Sequence, residues 1–321
     1  MIFRCFNFIS YLRLDETWLS KCSVSLSSCG NLLAVGYKKR LCFLTAQWIS
    51  STESNTYLVS WSGTLSTEVT SILALSICPS QQSSQNGPDW FCIVVGFING
   101  SVGFYTNTGH LLLLEKLEEK PVSKLSCHTG TFGTLPDDIH IIFQNGVCVL
   151  SGSSLFQTLR TAKAQLAKVQ AGILSEYSID SKSIQIRKWT FSEQEQINDA
   201  AVVGLDLKNS YEHFLAASTY GGYETWGWLG GSTENAPSNT EPVIRAEQLS
   251  MRNGVFDSQR HGTSVVISPD RRLAAFTDNL GRVAILDVTK GYIVRMFKGC
   301  RDAQCAFIQS SLCFKCPRNL G

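Results

Sequence analysis

Neither sign of charge dominates this chain. Its 321 residues carry 28 lysines and arginines against 26 aspartates and glutamates, a formal net charge of +2. So weak a field leaves no electrostatic footprint for nucleic acid, and no nucleic-acid partner is expected. The chain also lacks the Gly-x-x-x-x-Gly-Lys-Ser/Thr loop that cradles nucleotide phosphates. Its Gly221-Gly222 and Gly230-Gly231 pairs flank Tyr223, Trp226 and Trp228 without the Gly-x-Gly-x-x-Gly spacing of a dinucleotide turn. The five histidines, His110, His128, His140, His213 and His261, are dispersed and form no His-Glu-x-x-His pair. Cys300, Cys305, Cys313 and Cys316 lie close together, but only the last two have the two-residue gap of a zinc knuckle. These absences predict no catalytic residue, no cofactor-binding residue and no metal ligand.

A secreted disulfide framework is missing too. Twelve cysteines are scattered, and Cys42, Cys92 and Cys148 sit inside apolar runs, where a free thiol acts as a small hydrophobe. That usage reads as a reducing compartment, hence a cytoplasmic protein. The sequon Asn99-Gly100-Ser101 then reads as a two-residue hairpin turn with Gly100 at positive φ, rather than a glycan site. Met1 to Leu14 is apolar but broken by Arg4 and Arg13 and has no small-residue cleavage site, which argues against a signal peptide. Trp90 to Leu114 carries no formal charge, a length that would suit a membrane helix. Asn99-Gly100 and Thr106 to Gly109 cut it into strand-length pieces, so hairpins and no transmembrane segment are expected.

What is present is a repeating β unit in a chain 44% hydrophobic. Apolar runs begin near Leu33, Ile93, Ile139, Ile184, Phe214 and Leu273, a mean spacing of 48 residues. Propeller blades of the WD and kelch types repeat every ~40–50 residues. The clearest unit reads Ser264–Ile267, Leu273–Thr277, Val283–Asp287 and Tyr292–Phe297, with turn residues at every corner. A second copy runs through Phe91–Phe97, Ser101–Tyr105 and His110–Leu114. Val283 to Leu286 and Ile93 to Val95 are apolar at consecutive positions. Successive strand side chains point to opposite faces, so these strands bury both faces. Blades stacked face to face do that; a sandwich with wet outer faces does not. The predicted fold is all-β, a β-propeller of five or six WD-like blades with a short inserted helix, forming an incomplete ring or one strained at its C-terminal end.

The helix is expected at 154–170, where Leu155, Leu159, Ala162, Leu166 and Val169 recur at helical spacing. Such a stripe packs on the propeller or binds a partner. Segments 80–89 and 230–241 are polar and rich in Ser, Asn and Gly, and read as surface loops. The expected organisation is an N-terminal segment 1–21, blade repeats over 22–304 and an atypical end at 305–321.

Several segments in order resemble one family. They are Trp61-Ser62-Gly63, Pro88-Asp89-Trp90 through Phe97, Gly103-Phe104-Tyr105-Thr106, Ser154-Leu155-Phe156-Gln157 and Lys188-Trp189. They continue with Arg260-His261-Gly262 through Asp278, Gly281-Arg282-Val283, Leu286-Asp287-Val288 and Lys298 through Gln304. Their order and spacing are similar to the N-terminal region of the non-catalytic, regulatory subunit of the Rab-three GTPase-activating protein complex. The resemblance covers most of residues 22 to 304 and drifts away over Cys305 to Cys313. It implies a regulatory or scaffold subunit whose partners are a separate catalytic subunit and Rab small GTPases. It further implies a role in GTPase activation and nucleotide exchange, in the cytoplasm and peripherally on endoplasmic reticulum or vesicle membranes. It carries over no catalytic residue. Alternative readings are a generic propeller interaction scaffold and a truncated form that competes for the same partner. Arg245 and Arg252, in or near the long polar insertion, are the arginines best placed to reach another protein's active site.

Overall fold

In the computed structural model the described residues are 21–49, 54–77, 90–127, 138–176, 179, 181–191, 197–206, 211–218, 221–229, 246–256, 259–268 and 270–307. The expected loops at 80–89 and 230–241 lie outside them.

Short strands rich in Val, Ile, Leu, Phe and Thr alternate with Gly- and Asn-bearing turns, so the chain folds as successive antiparallel meanders. Sheet 1 consists of β1 (Ser23–Leu26), β2 (Leu32–Tyr37), β3 (Arg40–Ile49) and β4 (Ser54–Thr64). Sheet 2 consists of β5 (Val69–Ile77), β6 (Trp90–Phe97), β7 (Ser101–Thr106) and β8 (Leu111–Lys116). Sheet 3 begins with β9 (Val122–Cys127), β10 (Ile139–Phe143) and β11 (Gly146–Leu150). The helix α1 (Gly152–Gln170) follows, and the sheet resumes with β12 (Ile186–Thr190). Then come β13 (Ile197–Asp206), β14 (Tyr211–Ser218) and β15 (Gly221–Leu229) of sheet 4. The next strand, β16 (Ala246–Gln248), runs parallel to β12 as a fifth strand of sheet 3. Sheet 4 closes with β17 (Ser250–Phe256). Sheet 5 is β18 (Gly262–Ile267), β19 (Leu273–Asp278), β20 (Arg282–Asp287) and β21 (Tyr292–Lys298).

These are propeller blades, and the described residues hold five of them. They fall into two compact units: residues 1–191 with 237–248, and residues 192–236 with 249–321. In the first unit, Leu32, Ala34, Leu41 and Phe43 of sheet 1 pack against Ile93, Val95, Phe97 and Tyr105 of sheet 2. Val94, Phe104 and Leu112 of sheet 2 share a second core with Ile141, Phe143 and Cys148 of sheet 3. In the second unit, Leu215 and Ala217 face Val265, Phe276 and Leu286. Consecutive apolar residues such as Ile93, Val94 and Val95 are therefore all buried, each in one of two cores.

The innermost strand of each later blade enters through the same irregularity. The pairing register shifts between Val69 and Ser71, between Val122 and Lys124, between Ile197 and Asp199, and between Gly262 and Ser264. The extra residue of each bulge is small and polar: Thr70, Ser123, Asn198 and Thr263. The residue after it can hold the next blade. Ser71 Oγ accepts the amide of Leu125 at 3.0 Å, and Asp199 Oδ2 accepts that of Val265 at 2.9 Å.

Three local features depart from the sequence expectation. Gly100 has the expected positive φ, +78°, but its hairpin has three residues, not two. The Gly100 amide donates to the Phe97 carbonyl at 3.0 Å, and glycine supplies the left-handed residue that a three-residue hairpin needs. The run at Ile184 is not strand at its start. Ile184 is buried under α1, because Ser151 N donates to the Gln185 carbonyl and Gln185 N to Ser154 Oγ, holding the chain at the helix N-terminus until β12 begins. The helix itself starts two residues before the expected 154, since the Asp138 carboxylate accepts the Gly152 amide at 2.9 Å.

Candidate interaction surfaces

The apolar stripe of α1 is spent on packing. Leu155, Leu159 and Ala162 are buried in the core shared by sheets 2 and 3, and Leu166 packs against it. Lys163 Nζ stands 4.6 Å from the centre of the Trp90 ring, and Gln170 Nε2 lies 3.2 Å from His110 Nε2. What α1 offers solvent is polar along its length and apolar at its end. Gly172, at φ +72°, closes the helix: its amide donates to Val169 O, and that of Ile173 to Lys168 O. In this cap the residue after the glycine ordinarily packs on the helix turn below it. Here that turn presents Lys168, and Ile173 is 71% exposed, with Leu174 beside it also exposed.

The family-like segments serve architecture. Trp61 stacks on Phe43, ring centres 5.0 Å apart. A Cβ on Gly63 would come within 2.5 Å of the Trp61 ring, and one on Gly109 within 1.9 Å, so the indole lies across two glycines. Arg260 and Asp278 form a buried ion pair, Nε to Oδ2 3.4 Å. Asp278 Oδ1 also accepts the amides of Leu280 and Arg282, fixing the β19–β20 hairpin, and Asn279 exchanges two hydrogen bonds with the His261 backbone. Lys188 donates to the Leu117 carbonyl and pairs with Glu118 at 3.8 Å, tying sheet 3 to the segment leaving sheet 2.

Reactive chemistry is sparse. Among the described residues no three His, Cys, Asp or Glu side chains are placed to hold a metal ion. Cys313 and Cys316 lie outside the described residues. His110, His140 and His261 belong to three different blades. Burial pushes the Cys42 and Cys92 thiols up to about 12. It does the same to Cys148, despite the opposing charge of Lys188. The exposed Cys29 differs: slight burial raises it, but hydrogen bonds with Ser27 and Ser76 outweigh this and hold it below the usual thiol value. The two best-defined clefts among the described residues each have room for little more than a water, about 10 Å³, far below the ~300–1,000 Å³ of small-molecule sites. Arg252 falls within β17, and Arg245 lies outside the described residues. Reading the sequence missed the polar bulge residues and β16. The bulges have a signal, a small polar residue at the entry of each inner strand, whereas β16 has no apolar run.

No helix among the described residues is long and apolar enough to cross a membrane. The fold is similar to that of Sqt1 from Chaetomium thermophilum. The free structure gives a TM-score of 0.50 at 12% identity, covering 86% of this chain and 59% of that one. Sqt1 bound to the N-terminus of ribosomal protein L10 gives 0.51 at 12% identity, covering 86% and 61%. In sequence, the Rab3 GTPase-activating protein regulatory subunit of Caenorhabditis elegans is 21% identical over 272 residues, 68% of this chain. This chain spans about a fifth of that relative's length, 20%. The family described as Rab3 GTPase-activating protein regulatory subunit N-terminus matches residues 18–227 and 224–312. With nearly the whole blade region matched, the chain belongs to that family.

Proposed function

We propose that this chain is a regulatory, non-catalytic component of a Rab GTPase-activating complex. It binds a separate catalytic subunit and modulates the GTPase activation, and the nucleotide exchange, of Rab small GTPases in membrane traffic. It works in the cytoplasm and peripherally on endoplasmic reticulum or vesicle membranes. The observation that carries this reading is the family match across residues 18–312. The side-chain chemistry is in keeping with it. Accelerating GTP hydrolysis takes a group that enters the GTPase site and stabilises transition-state charge, commonly an arginine. Arg260 is buried against Asp278, Arg271 Nη1 donates to the Val203 carbonyl, and Arg282 and Arg295 lie in strands. Arg260 is thus held to its own blade, and Arg271, in the β18–β19 turn, is tied to β13 of the neighbouring one.

Sedimentation of purified chain mixed with purified catalytic subunit tests the reading. A stable heteromeric boundary is the expected result. Two species sedimenting independently at micromolar concentrations would refute it.

A further inference from the structure

The side of α1 that faces away from the blades is small and cationic. Arg160, Ala164, Lys168 and Ala171 are exposed and recur at helical spacing, opposite the buried Leu155, Leu159 and Ala162. Over residues 139–175 the chain carries Arg160, Lys163 and Lys168 and no aspartate or glutamate. Lys163 lies over the Trp90 ring at the border of this side, so Arg160 and Lys168 are the cations that point outward.

The end of the helix adds an apolar tip. Among the described residues, Ile173 and Leu174 are the only consecutive large apolar residues that are both exposed, at 71% and 38%. The cap fixes where they stand. With the Gly172 amide on the Val169 carbonyl and the Ile173 amide on that of Lys168, the chain turns back on the last helical turn. In this geometry the residue after the glycine lies over the side chain at the position of Lys168. Ile173 therefore joins the outward side that Lys168 and Arg160 share.

Charge and polarity together point to one partner. An acidic protein would answer the cations but would also have to supply a pocket for the protruding Ile173 and Leu174. An anionic bilayer answers both, with headgroups for the cations and hydrocarbon just beneath for the apolar tip. We propose that the outward side of α1, with Ile173 and Leu174 at its end, is the contact surface for an anionic lipid bilayer. Arg160 and Lys168 pair with the lipid headgroups, and Ile173 and Leu174 enter the acyl boundary. The Lys168 stem lies along the apolar tip while its ammonium stays among the headgroups. Because Leu155, Leu159 and Ala162 anchor α1 in the core shared by sheets 2 and 3, the helix meets the bilayer already formed. The inference rests on the peripheral-membrane part of the proposed function and gives it a surface.

The probe is vesicles of phosphatidylcholine and phosphatidylserine, about seven to three, mixed with the full chain and read by co-sedimentation. Saturable binding is expected, about tenfold weaker on pure phosphatidylcholine vesicles and weakened by added salt. Ile173→Asp with Leu174→Asp should weaken it about tenfold, and so should Arg160→Glu with Lys168→Glu. All four positions are exposed, so the urea midpoints should change little. Arg295→Glu with Lys298→Glu, an exposed basic pair on β21, should leave vesicle binding unchanged. The proposal is overturned if the unsubstituted chain ignores the vesicles, or if the Ile173 and Leu174 substitutions have no effect. It is also overturned if the β21 reversal weakens binding as much as the α1 reversal does, since the attraction would then be diffuse. Both α1 variants should still sediment with the catalytic subunit; loss of that complex would make this side of α1 a protein interface and overturn the proposal. Failure on vesicles with the complex intact refutes this surface alone, whereas vesicle binding without any complex refutes the regulatory reading alone.

Discussion

Replacing Gly100 by alanine tests how the blades are joined. A Cβ at that position would stand 2.0 Å from the Glu118 carbonyl oxygen and 2.6 Å from that of Lys120. Both are backbone atoms, so no rotamer change relieves the contact. The segment cannot withdraw freely either. Leu117 and Glu118 donate to the Gly100 carbonyl at 3.3 and 3.4 Å, and Lys188 holds Leu117 and Glu118 from sheet 3. Left-handed backbone in a non-glycine residue costs about 1–2 kcal/mol. Overpacking a rigid site adds about 1–3 kcal/mol, so Gly100→Ala should lose about 2–5 kcal/mol of stability in all. Gly172→Ala supplies the control. Its φ of +72° is nearly the same, but nothing lies within 4 Å of the added Cβ, so only the backbone cost of about 1–2 kcal/mol applies. Urea titrations followed by circular dichroism give both values when the slopes agree. If Gly100→Ala costs no more than Gly172→Ala, the carbonyls of 118 and 120 are not packed on the hairpin and the blade junction is wrongly drawn.

Asp278→Ala should cost about 3–5 kcal/mol, because it leaves the buried Arg260 charge without its carboxylate; a loss under 1 kcal/mol in the same titration would show that the pair is not buried. Alkylation by N-ethylmaleimide at pH 8, read by peptide mass spectrometry, should label Cys29 well ahead of Cys42, Cys92 and Cys148, because thiols raised to about 12 remain protonated there. Rapid labelling of Cys92 in the folded chain would contradict the core assignment. Ile173→Asp should leave the urea midpoint unchanged, since the side chain is mostly solvated; a lower midpoint would mean that Ile173 packs on its own chain.

Much of the fold was legible because turn chemistry and apolar runs coincide. The meander of sheet 5 was readable strand by strand, since Asp278 to Gly281 and Lys290-Gly291 leave little else for the chain to do. Its strand ends moved by two residues at most. Sheet 1 was harder: β4 is rich in Ser and Thr and pairs with β3 along its whole length although only Tyr57-Leu58-Val59 is an apolar run. Ile184 misled because burial under a helix and burial in a strand leave the same apolar mark. The candidate surfaces were the least legible. Exposure of Ile173 depends on Lys168 occupying the turn beneath it. The strand β16, which covers the edge of β12, comes from more than fifty residues away in sequence. Such a pairing is a property of the tertiary fold, and no local pattern encodes it.

Single-turnover GTP hydrolysis by a Rab protein, measured with this chain alone, with the catalytic subunit alone and with both, bears on the function itself. The chain alone should leave the intrinsic rate unchanged, while its addition should alter the rate obtained with the catalytic subunit. A tenfold or greater stimulation by the chain alone, about 1.4 kcal/mol of barrier, that disappears in Arg245→Ala or Arg252→Ala would make this chain the catalyst and contradict the regulatory reading.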